Sequence, residues 1–213
     1  MIRLIIVDDH ILFREGLKSL MATLPDVSVV GEAADGRGGV ALAREHQPDL
    51  VLMDVSMPDM NGIEATRKIV NDSVDMRVMA LSMHPDRQFV SQMLQAGARG
   101  YLLKSCAFDE VRHAIDTVVA GEIYVSPHLT GVVVKDYVDR MNGAHSSGSE
   151  LTRREREVLQ LVAEGKTNRE VAEALALGIK TAETHRKRIM EKLKLHTAAE
   201  LTKYAVKEGI TRL

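Results

Sequence analysis

Apolar residues gather in short runs at residues 4–7, 27–30, 50–53, 78–81 and 101–103. After each run comes a longer stretch, at residues 12–24, 40–46, 63–70, 89–96 and 111–119, in which apolar positions recur every three or four residues. A short apolar run reads as a strand, and recurrence at i, i+3 and i+4 reads as an amphipathic helix. The first, third and fourth runs are apolar throughout, as parallel strands covered on both faces require. Five strand-then-helix units predict a single α/β domain: a five-stranded, doubly wound parallel sheet with right-handed crossovers. Residues 127–141 return to helical spacing through Leu129, Val132, Val133, Tyr137, Val138 and Met141, which predicts a connecting helix.

The pattern then changes. Residues 143–148 read GAHSSG, a linker composition without periodicity. Beyond it lie four helical patterns and no strand-like run. Three of them open on Thr-x-x-Glu, at Thr152–Glu155, Thr167–Glu170 and Thr197–Glu200. In that spacing Thr and Glu satisfy the unpaired amides of a helix start reciprocally. The remaining helix runs from about Lys180 to Leu193, with Gly178 as a weaker cap. The expected organisation is therefore residues 1–122 as the α/β domain, 123–148 as connecting helix and linker, and 149–213 as a second, all-α domain of four helices.

Charge agrees with this division. Residues 148–213 carry 14 lysines and arginines against 10 acidic residues, whereas residues 1–147 carry 14 against 20. An acidic front and a basic back predict different partners for the two halves. The single cysteine, Cys106, excludes an intramolecular disulfide and a cysteine-based zinc cluster. No apolar run reaches the roughly 18 residues of a membrane span, and the start MIRLIIVDDH lacks a secretory h-region, so a cytoplasmic setting is expected.

Polar residues follow the apolar runs directly: Asp8 and Asp9 after the first, Asp54 at the end of the third, Ser82 after the fourth and Lys104 after the fifth. In an open α/β sheet, ligands bind beyond the carboxyl ends of the strands where the strand order reverses. With strand order 2-1-3-4-5, the three aspartates meet in one crevice with Ser82 and Lys104 along its other side. Crowded carboxylates repel unless a cation compensates, and Mg²⁺ suits a site of a few carboxylates and waters. Asp54 is then placed as a nucleophile towards phosphorus. His10 adjoins the crevice, but the eight histidines show no ligand spacing. Pro58 and Gly62 read as turn residues, Cys106 as structural and the eleven methionines as core filler.

The segments LIIVDDH, VLMDVSMPDMNGIE, ALS and GYLLK resemble the receiver domain of response regulators over roughly residues 1–120. The resemblance implies a flavodoxin-like fold, with Asp54 as the phosphorylated aspartate and Asp8 and Asp9 as the acidic metal pair. It also implies that Ser82 is the switch hydroxyl, Lys104 the conserved lysine and Tyr101 the aromatic that reorients, with the Ser56 carbonyl completing the Mg²⁺ shell. Ser105 stands where many receivers carry proline.

In the second half, LTRREREVLQLVAEGKTNREVAEAL and KTAETHRKRIMEKL resemble the LuxR-type helix-turn-helix over residues 150–210. Helical spacing puts Ala182, Ile189 and Leu193 on the buried side of the Lys180–Leu193 helix, and Lys180, Thr184, Lys187, Arg188 and Glu191 opposite. The resemblance implies base contacts from Glu183, Thr184 and Lys187. Lys166, Thr167, Lys180 and Arg188 are the candidates for phosphate contacts. Arg186 ranks lower, towards the buried edge. Gly178 and Ala182 depart from the family's usual serine and valine.

Receiver and helix-turn-helix together are similar to the NarL/FixJ class. That class implies a cytoplasmic two-component regulator: a histidine kinase phosphorylates Asp54, and a homodimer reads double-stranded DNA in the major groove. The enzyme alternative is a Mg²⁺-dependent phosphatase or phosphotransferase similar to the haloacid dehalogenases. That family places its nucleophile in D-x-D after the first strand, where this chain reads Asp8-Asp9-His10. No substrate cap interrupts the strands.

Overall fold

The computed structural model describes residues 1–73, 75–83, 85, 87–141 and 151–211, and within them not the side chains of residues 132, 136, 137, 139–141 and 207. The chain divides into two compact units, Met1–Asn142 and Gly143–Leu213. The expected linker at residues 143–148 lies outside the described residues, as do the side chains of Val132, Tyr137 and Met141.

The first unit alternates strand and helix: β1 (Ile2–Val7), α1 (Ile11–Met21), β2 (Val27–Ala33), α2 (Gly36–His46), β3 (Leu50–Asp54), α3 (Gly62–Asp72), β4 (Arg77–Ser82), α4 (Arg87–Gln95), β5 (Gly100–Leu103), α5 (Phe108–Val119), β6 (Tyr124–Val125) and α6 (Pro127–Met141). The strands form one sheet of order β2-β1-β3-β4-β5-β6, every pair parallel. The continuous apolar runs become its central strands because both faces are covered. Ile5, Val7, Val51, Met53, Val78 and Ala80 meet α2, α3 and α4 on one face. Leu4, Ile6, Leu50, Leu52, Met79 and Leu81 meet α1 and α5 on the other.

Two features differ from expectation. The sheet has a sixth strand where a connecting segment was expected. Its two residues, Tyr124 and Val125, pair with Gly100 and Tyr101, too short a piece to register as an apolar run. Helix α2 begins four residues earlier than its periodicity suggests, because its first turn is Gly36-Arg-Gly-Gly39. The Asp35 carboxylate caps it, accepting from the Gly38 amide at 2.8 Å. Glycine there serves packing: a Cβ on Gly39 would stand 2.8 Å from a Val7 methyl.

Helix α6 forms as its spacing predicts. Its Leu129 is fully buried in the same core as Tyr101, with Val133 packed against that core, while Val134 and Val138 are exposed.

The second unit contains α7 (Arg153–Ala163), α8 (Asn168–Ala174), α9 (Ile179–Leu193) and α10 (Ala198–Lys207). All three Thr-x-x-Glu segments form reciprocal capping boxes. The core joins Val158, Leu159, Leu161, Val171, Ala172, Ala182, Ile189, Leu201 and Ala205. Among the described residues no helix is long and apolar enough to cross a membrane.

Because Leu129 is sealed in the first core, Leu129→Ala should destabilise the first unit by about 2–4 kcal/mol. Val138→Ala, on the exposed side of α6, should change it by less than about 0.5 kcal/mol. Urea unfolding of the full chain, followed by a probe in the sheet unit, separates the two; equal effects would disprove the anchoring of α6.

Candidate functional site

Parallel register brings the polar strand ends together. Asp8 follows β1, its amide bonded to the Ala33 carbonyl at 3.0 Å. Asp54 ends β3 opposite Leu81, and Ser82 ends β4 opposite Leu103. Lys104 follows β5, its amide donating to the Ser82 carbonyl at 2.8 Å. Strand order reverses between β1 and β3, so Asp8 and Asp54 flank the crevice at the switch point.

The centre of the site is one buried ammonium between two buried carboxylates. Lys104 Nζ lies 2.7 Å from Asp8 Oδ2 and 2.9 Å from Asp54 Oδ2, with the three side chains 2%, 0% and 4% exposed. The same ammonium stands 4.8 Å above the centre of the Phe13 ring. Burial pushes the Asp54 carboxyl up to about 6; Lys104 opposes that rise and the Asp8 charge adds to it.

His10 adds a nitrogen. It caps α1, its amide donating to Asp8 Oδ1 at 2.9 Å. Its ring Nδ1 lies 3.0 Å from Asp9 Oδ1, 3.2 Å from Asp8 Oδ1 and 3.8 Å from Asp54 Oδ2. One ligand atom from each of Asp8, Asp9, His10 and Asp54 falls within 4.8 Å of the others. With all three carboxylates ionised, one ammonium leaves two uncompensated negative charges. Asp8 Oδ2 and Asp54 Oδ2 accept no aligned hydrogen bond; their contacts with Lys104 are ion pairs. This donor set fits a divalent cation.

The remaining expected residues lie around this centre. Ser56 is half-buried, and its amide approaches Asp54 Oδ1 at 3.4 Å. Ser82 is buried on the strand beside Asp54. Tyr101 is fully buried in the sheet core, three residues before Lys104. Burial and the nearby Glu110 push the Cys106 thiol up to about 11, so it is not a thiolate at neutral pH.

Phe13 and Arg14 were not evident from the sequence, and Gly62 read there only as a turn residue. Arg14 donates to the Asp8 carbonyl at 2.5 Å and pairs with Glu32 on β2 at 3.6 Å, fixing the chain next to the acidic pair. A Cβ on Gly62 would lie 1.9 Å from the Asp54 carbonyl oxygen, so this glycine opens α3 against the β3 end and is more than a turn residue. The only sequence trace of Arg14 is its place one helical turn after His10; one partner, the Asp8 carbonyl, is backbone and the other, Glu32, lies on β2.

In the second unit, α9 presents Lys180, Glu183, Thr184, Lys187 and Arg188 to solvent, and Lys166 and Thr167 are exposed before α8. Thr167 is also the cap of α8, its hydroxyl donating to Glu170 at 2.7 Å. Ala182 and Ile189 are buried and Leu193 is half-buried, as the spacing predicts. Arg186 is half-buried and donates to Asn168 Oδ1 at 3.3 Å, joining α9 to α8. Gly178 caps α9 without a side-chain bond.

The Asp54 shift fixes the sign of a pH dependence. A carboxyl whose pKa rises from 3.8 to about 6 on folding binds more protons folded than unfolded. Its contribution to stability is therefore greatest below pH 3.8, falls as pH rises towards 6 and is flat above. In metal-free protein Asp54→Asn should match the native chain near pH 4 and exceed it by about 2–3 kcal/mol at pH 7. Denaturation in chelator across that range checks this; a native-to-variant difference independent of pH would refute it.

Residues 4–116 match the response regulator receiver domain family, and residues 149–205 match the bacterial regulatory proteins of the luxR family. The transcriptional regulatory protein DegU of Brevibacillus brevis is 37% identical over 222 residues, covering 98% of this chain and 94% of that protein. A LuxR-family two-component response regulator from Aurantimonas sp. superposes with a TM-score of 0.62 at 37% identity, over 65% of this chain and 99% of that one. The response regulator RcsB in its DNA complex gives 0.60 at 25% identity, over 95% and 96%. The chain belongs to the response regulators of two-component systems that join a receiver domain to a LuxR-family regulatory domain.

Proposed function

We propose that Asp54 accepts a phosphoryl group from the phosphohistidine of a partner kinase, and that this controls DNA binding and transcription by the second unit. The observation that carries the reading is the buried Asp54 carboxylate, sharing the Lys104 ammonium with Asp8 at the carboxyl ends of the strands. An Asp54 oxygen attacks phosphorus, the P–N bond to the donor imidazole breaks, and an acyl phosphate forms. Asp8, Asp9, Asp54 and the Ser56 carbonyl would hold Mg²⁺, which neutralises charge on the phosphoryl oxygens. His10 adjoins this set. No general base is needed, because Asp54 attacks as its carboxylate.

The phosphoryl group adds about −1.5 to −2 charge. Lys104, already within 2.9 Å of Asp54, follows that charge, and the Ser82 hydroxyl donates to a phosphoryl oxygen. Movement of Ser82 frees space beside Tyr101, which shares a buried core with Leu129 of α6. Shifting a population from 1:99 to 99:1 takes about 5.5 kcal/mol, within reach of two charge-assisted contacts and a metal.

RcsB, similar over 95% of this chain, has been solved on DNA. That likeness and the exposed face of α9 support insertion of α9 into a major groove. Glu183, Thr184 and Lys187 then meet base edges, while Lys166, Thr167, Lys180 and Arg188 meet phosphates. A phosphorylated homodimer would read half-sites about 34 Å apart. The reading is that of a cytoplasmic regulator divided as residues 1–122, 123–148 and 149–213, with Asp54 modified once per signal. A phosphatase on this scaffold would turn substrate over.

Incubation with radiolabelled acetyl phosphate and Mg²⁺ should give up to one phosphoryl group per chain, on Asp54, and Asp54→Asn should take none. Sustained release of phosphate over many turnovers, or label on another residue, would overturn the reading.

On DNA selected from random sequences, Lys187→Ala should lose about 1–3 kcal/mol and relax one base preference. Lys180→Ala should weaken all sequences alike and lower the salt slope by about 1. An Lys187→Ala protein with native affinity and preference would refute the groove assignment.

A further inference from the structure

His10 is fixed by its backbone at the N-cap of α1, where its ring makes no capping bond and faces the acidic cluster instead. The Nδ1 atom stands 3.0 Å from Asp9 Oδ1, 3.2 Å from Asp8 Oδ1 and 3.8 Å from Asp54 Oδ2. Nδ1 is within hydrogen-bonding distance of Asp8 Oδ1, but a single N–H serves only one acceptor, which leaves its approaches to Asp9 and Asp54 without a shared proton, and a bare lone pair would repel all three. A metal ion resolves it. Ligands at right angles on an ion with bonds of about 2.1 Å lie about 3.0 Å apart, and opposite ligands about 4.2 Å. The two shorter distances match the first value, and the third lies between the two. Asp8 Oδ2 and Asp54 Oδ2 are buried, without an aligned hydrogen bond, and share the single Lys104 ammonium.

We infer that His10 Nδ1 is a ligand of the cation at this site, and that it turns an all-oxygen Mg²⁺ site into one favouring a later first-row transition dication such as Co²⁺. The inference rests on the acidic cluster being the cation site of the phosphoacceptor. Mg²⁺ is a hard ion that takes oxygen ligands and keeps its waters, whereas imidazole suits the later transition metals. Because oxygen sites alone also rank these metals in the Irving–Williams order, the informative quantity is the increment owed to His10. His10→Gln removes the ring and keeps the backbone amide that donates to Asp8.

Calorimetric titration of the full chain with Mg²⁺ and Co²⁺ at one pH, with and without His10→Gln, tests this. The Co²⁺ affinity should fall by about tenfold or more in the variant, within the range lost when a metal site is impaired, and the Mg²⁺ affinity by less than about twofold. Pulsed electron paramagnetic resonance of the Mn²⁺-loaded native chain should show a directly bound nitrogen that is absent from His10→Gln. Equal losses for both ions, or no bound nitrogen in the native chain, would overturn the inference. A native chain that binds Mg²⁺ and takes phosphoryl on Asp54, with His10→Gln indistinguishable from it, overturns this inference alone. A native chain that binds neither ion overturns the phosphoacceptor reading with it.

Discussion

Two carboxylates and one ammonium, all but withdrawn from water, are the constraint around which the first unit is built. Burying an uncompensated charge costs several kcal/mol, so Asp8, Asp54 and Lys104 are tolerable only together. None can be near the others in sequence, because each ends or follows a different strand. The sheet supplies what proximity cannot: β1 and β3 are neighbours, and β5 reaches Lys104 across from β4. The apolar runs that make those strands buried thus also set the spacing of the charges beyond them. Arg14 and Gly62 then hold the local backbone, one by gripping the Asp8 carbonyl and the other by leaving room at the Asp54 carbonyl.

The same arrangement explains why the site is poised rather than satisfied. Lys104 is shared, so neither carboxylate is fully neutralised, and burial keeps the Asp54 carboxyl at about 6 despite the ammonium. A structure selected only for stability would replace such a cluster with apolar side chains. Positive charge added by a cation, or a group that moves the negative charge outward from Asp54, relieves it. On the proposed reading, stored electrostatic cost of this kind is what would allow a small covalent change at Asp54 to reposition Lys104 and Ser82.

Most of the fold was legible because its signals are local. Continuous apolar runs named the central strands, and reciprocal Thr and Glu named three helix starts. The charged centre was legible as well, since Asp8, Asp9, Asp54 and Lys104 stand directly at the ends of those runs. What escaped was set by tertiary contact. The β6 strand is two residues held by β5, and the first turn of α2 hides in glycines that leave room for neighbours, Gly36 for the Met60 carbonyl and Gly39 for Val7. His10 showed no ligand spacing because its partners are carboxylates, two of them adjacent in sequence and the third 44 positions away. Gly62 looked like a turn residue because a missing side chain has no pattern of its own.

The second unit shows the converse economy. Helices α7, α8 and α10 begin with complete capping boxes, while α9 begins at Gly178 with no side-chain cap. Its position is fixed from its flanks instead. Ala182 and Ile189 seal it into the core, Arg186 bonds it to Asn168 of α8, and Lys192 pairs with Glu155 of α7 at 2.6 Å. Those contacts use the inward and lateral sides of the helix. Lys180, Glu183, Thr184, Lys187 and Arg188 are left on the remaining side and exposed; the Thr184 hydroxyl donates to the Lys180 carbonyl and Lys187 pairs with Glu191, both within α9. A helix steadied by its neighbours rather than by a side-chain cap leaves its outward side uncommitted, and in a helix-turn-helix it is the N-terminal part of the second helix that reads base edges.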